Sequence, residues 1–134
     1  MLMALAGFQV TPIDLVDNCL DPDAHDVVGS RFVEACLWNP IPVPKATYGY
    51  ACDVLEHIPP EKVDDVIVNI LDRCYEAFFL INFEMDHFGD EVGERLHLTI
   101  QPFGWWVETL KHHGTVIDAR DLIQEGLFRV VRTH

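Results

Sequence analysis

The sequence predicts an α/β domain, a doubly wound and mostly parallel sheet that ends in an antiparallel hairpin. Three observations carry this expectation. Apolar segments of strand length alternate with stretches whose apolar residues recur every three or four positions. Ala77 to Phe83, AFFLINF, has the composition of a strand buried on both faces. Thr115 to Ala119 and Gly126 to Val131 then read as two strands of a hairpin joined by Arg120 to Glu125. The chain has 134 residues, which fits one domain over 1–134.

The elements follow in order. Met1 to Ala6 favours a helix, and Gly7 is placed to end it. Gly7 to Val16, GFQVTPIDLV, reads as a strand, so the chain is expected to open inside a helix with no strand before it. Asp21 to Ser30 is acidic, holds Pro22 and Gly29, and reads as a loop or short helix. Arg31 to Leu37 is a second strand. Three prolines in Asn39 to Lys45 exclude regular structure there. Tyr48 to Leu55 is a third strand. Pro59 and Pro60 open a helix whose first turn carries Glu61, Asp64 and Asp65. Val63, Val66, Ile67, Ile70 and Leu71 form its apolar face. Glu84 to Glu94 is a polar loop, and Pro102 to His113 a helix with Trp106 and Leu110 inward, ended by Gly114.

Nine basic and twenty-two acidic residues leave a net charge of −13. That field repels phosphate backbones and anionic lipid, so neither direct nucleic-acid nor membrane binding is expected. No apolar run is long enough to span a bilayer, and MLMALAGF is too short for a secretory signal, so a cytoplasmic location is expected. Cys19, Cys36, Cys52 and Cys74 include no CxxC pair and read as reduced thiols, three of them among apolar neighbours.

The polar residues that could carry chemistry fall where strands end. Asp14 closes the first strand and could accept two hydrogen bonds from a ribose diol, or cap a turn. Glu34 ends the second strand beside Ala35 and Cys36, small neighbours that would admit a flat base. Asp53, Glu56 and His57 follow the third strand, either as an acid–base group or as a hydrogen-bonded cap of the next helix. Asp86, His87, Asp90 and Glu91, and the pair His112–His113, are residue types that can bind a metal. Adjacent residues diverge on regular elements and no HxxxH or HxH spacing occurs, so no metal site is expected.

Taken in order, these pieces resemble the class I S-adenosylmethionine-dependent methyltransferases, which have a Rossmann-like fold. Val10-Thr11-Pro12-Ile13-Asp14 is similar to the family's second strand with its ribose-binding acid. Phe32 to Leu37, followed by Pro40-Ile41-Pro42, is similar to the third strand and the adenine-contacting segment. Asp53-Val54-Leu55-Glu56-His57-Ile58-Pro59 resembles the stretch after the fourth strand, which lines the methionine end of the cofactor. Leu96 to Thr99, leading into Pro102 to Trp106, resembles the region where acceptors bind.

The resemblance implies S-adenosylmethionine as cofactor, contacted by Asp14, Leu15, Glu34, Ala35, Asp53 and Val54. It implies that His57 or His97 orients or deprotonates a small-molecule or protein acceptor. The family's first strand and its GxGxG loop are missing, so the form is truncated or split. A central strand removed leaves its two neighbours unpaired. They must then pair with each other, or a second copy or a split partner must supply the strand. The alternative function is a non-catalytic, methyltransferase-like subunit that pairs with itself or with a catalytic partner.

Overall fold

The structure is a computed structural model that describes residues 2–16, 22–85, 89 and 93–133. Its larger unit is a four-stranded sheet built from β3 (Ala46–Cys52), β4 (Cys74–Asn82), β5 (Thr115–Asp121) and β6 (Glu125–Val131), in the order β3-β4-β6-β5. β3 and β4 are parallel, in register from Ala46 opposite Cys74 to Cys52 opposite Leu80. β6 runs antiparallel to both β4 and β5, so the expected terminal hairpin is present, with an irregularity between Val116 and Asp118. A second, two-stranded parallel sheet pairs β1 (Ile13–Asp14) with β2 (Val33–Glu34). The short helix α1 (Leu2–Leu5) precedes β1, and α2 (Pro22–Val28) lies between the two strands in the chain.

Between the parallel strands β3 and β4 lies α3 (Val63–Asp72), entered through a 3-10 turn at Pro60–Lys62. Pro60 suits a first turn because its missing N–H would have no helical partner, and Asp64 and Asp65 complement the positive end. Val63, Val66, Ile67 and Leu71 are fully buried, each contributing about 2 kcal/mol by apolar burial. The last helix, α4 (Phe103–His113), buries Trp106, Thr109 and Leu110 and sets Lys111, His112 and His113 at its negative end. Both helices meet the sheet face that carries Ala51, Ala77, Phe79, Ile81, Phe128 and Val130. Across β3, β4 and β6, Ala51, Phe79 and Phe128 form one cross-strand row. Gly49 is required by a close approach: a Cβ there would stand 2.9 Å from the Cys74 sulfur.

Several sequence expectations are corrected. The strand expected over 7–16 is reduced to Ile13–Asp14, because Gly7 takes a left-handed φ of 90° and only two residues find a ladder partner. The strand expected over 31–37 is reduced to Val33–Glu34, after a 3-10 turn at Gly29–Arg31. The third strand begins earlier than expected and stops at Cys52, and Leu55–His57 is a 3-10 turn. Of the two readings of 21–30, the helix is realised at Pro22–Val28.

Cys74 is buried, whereas Cys36 and Cys52 are half-buried; all three are free thiols, and Cys19 lies outside the described residues. Among the described residues, no helix is long and apolar enough to cross a membrane.

The two sheets are separate. Among the described residues β1 pairs only with β2, and β3 only with β4. Among the described residues β1 and β3 do not pair directly with each other.

Candidate functional site

The sequence-identified residues gather in two places. The first is the end of the β1–β2 ladder, where Asp14 stands opposite Glu34 in parallel register. Val33 donates its N–H to Pro12 and Ala35 donates its own to Asp14, so the backbone locks the two acids side by side. Both side chains are exposed. Asp14 Oδ1 accepts the Leu15 N–H at 2.6 Å, which orients the carboxylate, while the Leu15 side chain is exposed. Ala35 is half-buried.

The second place is the turn after β3. Asp53 has a left-handed φ of 52°, a conformation that costs a non-glycine residue energy and that aspartate tolerates better than most. Its N–H is held by the Leu80 carbonyl at 3.0 Å, and its Oδ2 accepts from the Cys52 thiol. Burial pushes the Cys52 thiol above its ordinary pKa, and its hydrogen bond with Tyr50 raises the tyrosine. Val54 is half-buried against the core.

Glu56 is fully buried. Its Oε1 accepts the Asn82 N–H at 2.9 Å, and its Oε2 has no hydrogen-bond partner. Burial raises this carboxyl above the usual range, against the opposing pull of backbone donors and of His57. The Glu56 carbonyl accepts two N–H groups, from Leu98 and Thr99, and the Thr99 hydroxyl donates to the Ile58 carbonyl at 2.7 Å. These bonds strap 96–99 onto the turn that follows β3. They bring His97 beside His57, with ring centroids 4.7 Å apart and planes nearly perpendicular. His57 Nδ1 meets the Leu96 carbonyl at 3.0 Å and His97 Nδ1 meets the Glu84 carbonyl at 2.6 Å. Carbonyls only accept, so both rings donate from Nδ1, which leaves Nε2 as the free nitrogen of each neutral ring.

No hydrogen bond or ion pair between described residues joins the Asp14–Glu34 pair to the Asp53–His97 group. Two hollows among the described residues, about 390 and 260 Å³, lie along α3 and include none of these residues. The larger is lined by Trp38, Asn69 and His113, and the smaller by Asp72 and Arg132. His113 is tied to Asp64 at 2.7 Å rather than to His112, and the stretch with Asp86, His87, Asp90 and Glu91 lies outside the described residues. The junction of Glu56 with His97 is not legible in the sequence, because forty intervening positions separate them.

No family model matches the sequence, and no curated protein matches it significantly. Solved structures do match. PH0226 protein from Pyrococcus horikoshii OT3 superimposes with a TM-score of 0.76 at 12 % identity, over 98 % of this chain and 75 % of that one. The 1,6-didemethyltoxoflavin-N1-methyltransferase of Burkholderia thailandensis, with bound S-adenosylhomocysteine, gives 0.66 at 21 % identity over 96 % and 63 %. The fold is that of the class I S-adenosylmethionine-dependent methyltransferases. An O-methyltransferase family protein from Burkholderia thailandensis gives 0.63 at 15 % identity, over 90 % of this chain and 42 % of that one. The chain thus spans between 42 and 75 % of these three structures. The resemblance read from the sequence matches β1, β2 and β3 to the second, third and fourth strands of that fold. The break between the two sheets falls where the resemblance places the first.

Proposed function

We propose that this chain is the cofactor- and acceptor-facing part of an S-adenosylmethionine-dependent methyltransferase. The observation that carries the reading is the register of β1 and β2, which sets Asp14 beside Glu34 at the carboxyl ends of parallel strands, in a methyltransferase fold. The residues present fit the cofactor in part. The exposed carboxylate of Asp14, oriented by the Leu15 N–H, suits a ribose diol, and Leu15 adds an exposed apolar contact. Glu34 and Ala35 would border the adenine; Asp53 and Val54 would meet the methionine end. When bound, S-adenosylmethionine supplies a methyl group on a sulfonium, open to in-line displacement.

Such a displacement needs alignment and a dry site more than a strong base. With Nδ1 of each ring engaged by a backbone carbonyl, the free Nε2 of His57 or His97 would orient or deprotonate the hydroxyl or amine of a small-molecule or protein acceptor. The proposed working form is cytoplasmic and completed by a second copy or a split partner that closes the gap between β1 and β3.

Calorimetric titration with S-adenosylmethionine and S-adenosylhomocysteine tests this, with Asp14→Ala beside the unaltered protein. Micromolar binding that the variant loses supports the reading; no binding up to millimolar concentration refutes it for this chain alone.

A second reading is a non-catalytic subunit of the same fold. It is favoured by β3, which among the described residues has one partner strand and exposes Tyr48 and Tyr50. A monomer in sedimentation that also fails to bind cofactor would count against both.

A further inference from the structure

We propose that Glu56, His57 and His97 form a binding site for one divalent transition-metal ion. The site would exist whether or not the chain transfers methyl groups. One ligand atom from each residue lies within 4.8 Å of the other two. An ion bonded at about 2.0–2.2 Å to each needs these atoms somewhat closer than that limit, which a small rotation of the exposed His57 ring supplies.

Three independent features point to an ion. The first is Glu56 Oε2, which is buried without a partner in a side chain of 0 % exposure. Leaving a buried carboxylate oxygen unsatisfied is costly, and a cation is the partner that removes the cost. The second is the outer support of the ligands. Metal-binding histidines commonly donate their other ring N–H to a backbone carbonyl, which fixes the ring and aims the free nitrogen. Both His57 and His97 do so, to Leu96 and Glu84. Glu56 is braced in the same way by the Asn82 N–H on Oε1. The third is charge: one carboxylate and two imidazoles, in a chain of net charge −13, favour a dication.

Two imidazole nitrogens and one carboxylate oxygen suit zinc, iron, cobalt or manganese rather than magnesium or calcium. Three protein ligands leave at least one position open. At the carboxyl end of β3, that position would take water or the oxygen or nitrogen of an acceptor. The local spacing that argued against a metal site could not reveal this one, because His97 arrives from forty residues away on the 96–99 strap.

The test is calorimetric titration of the full chain with zinc chloride and with cobalt chloride, magnesium chloride as contrast, and no S-adenosylmethionine present. The proposal expects one zinc per chain with micromolar or tighter affinity, weaker cobalt, a visible cobalt absorption band, and negligible magnesium binding. Glu56→Gln, His57→Ala and His97→Ala should each weaken zinc by at least about 100-fold. The double variant His112→Ala/His113→Ala should bind zinc as the unaltered protein does. Melting curves in chelator show which variants fold, and the exposed His57→Ala decides the matter if a buried change unfolds the chain. Absence of zinc and cobalt binding below millimolar, unchanged affinity in His57→Ala, or loss in the His112/His113 variant would overturn it. Zinc bound without S-adenosylmethionine bound would leave this site standing while the methyltransferase reading fails.

Discussion

Replacing Thr99 by valine isolates the bond that straps the His97 segment to the turn after β3. Thr99 is 1 % exposed, and its hydroxyl donates to the Ile58 carbonyl at 2.7 Å across forty-one residues of chain. Valine keeps the shape, so no cavity opens. What is lost is the hydrogen bond, about 1 kcal/mol net, plus about 1 kcal/mol or more for a buried carbonyl stripped of a donor. The expected loss of stability is therefore about 2 kcal/mol. With about 2.1 cal/mol/K of unfolding entropy per residue, a chain of 134 residues has about 0.28 kcal/mol/K. The Tm should fall by about 7 °C. Thermal unfolding followed by circular dichroism, with Thr99→Ser as control, reads this directly. Serine keeps the hydroxyl and drops only a methyl, so it should cost about half as much or less. A serine variant as damaged as the valine variant, or a valine variant within 1 °C of the unaltered protein, would refute the reasoning.

Ile123 sits at the hairpin tip with φ 79° and is 90 % exposed, so Ile123→Gly relieves left-handed strain of about 1–2 kcal/mol and should raise stability by up to about 1 kcal/mol after glycine's entropic cost. A lower Tm in that variant would show that the tip is not strained. Asp53→Gly should leave stability equal or slightly higher, since glycine accepts φ 52° freely, while S-adenosylmethionine affinity falls; unchanged affinity would remove Asp53 from the cofactor site. Cys74 is buried with its thiol pushed up by burial, so less thiolate is present at any given pH, and alkylation should reach it only in denaturant. Peptide mass spectrometry that finds Cys74 modified in the folded protein as fast as the half-buried Cys36 would contradict the packing of β4.

The parts of the fold that the sequence made legible are those where burial and period coincide. Val63, Val66, Ile67 and Leu71 repeat at helical spacing because one face of α3 meets the sheet, and Phe79 and Ile81 mark β4 because the face that carries them packs under α3 and α4, while the alternate residues Phe78 and Leu80 are only half-buried. β1 and β2 were overextended for the converse reason. Phe8, Val10, Phe32 and Leu37 are apolar, but a ladder needs a partner, and only two residues on each strand have one. At the site, Asp14 and Glu34 were legible as acids ending strands, and their adjacency follows from parallel pairing. The grouping of Glu56 with His97 was not legible. It depends on hydrogen bonds from Leu98 and Thr99 to a single carbonyl, which no spacing rule encodes.

The edge of β3 has a consequence for how the protein behaves at high concentration. ATYGYAC carries no charged residue and no proline, the devices that usually keep a free sheet edge from recruiting another strand. Mutual repulsion between molecules of charge −13 must do that work instead. Repulsion of this kind has a range of about 10 Å in 0.1 M salt and about 3 Å in 1 M salt. Dilute buffer therefore keeps the edge idle, and concentrated salt or mild acid, by screening or neutralising the carboxylates, releases it to pair.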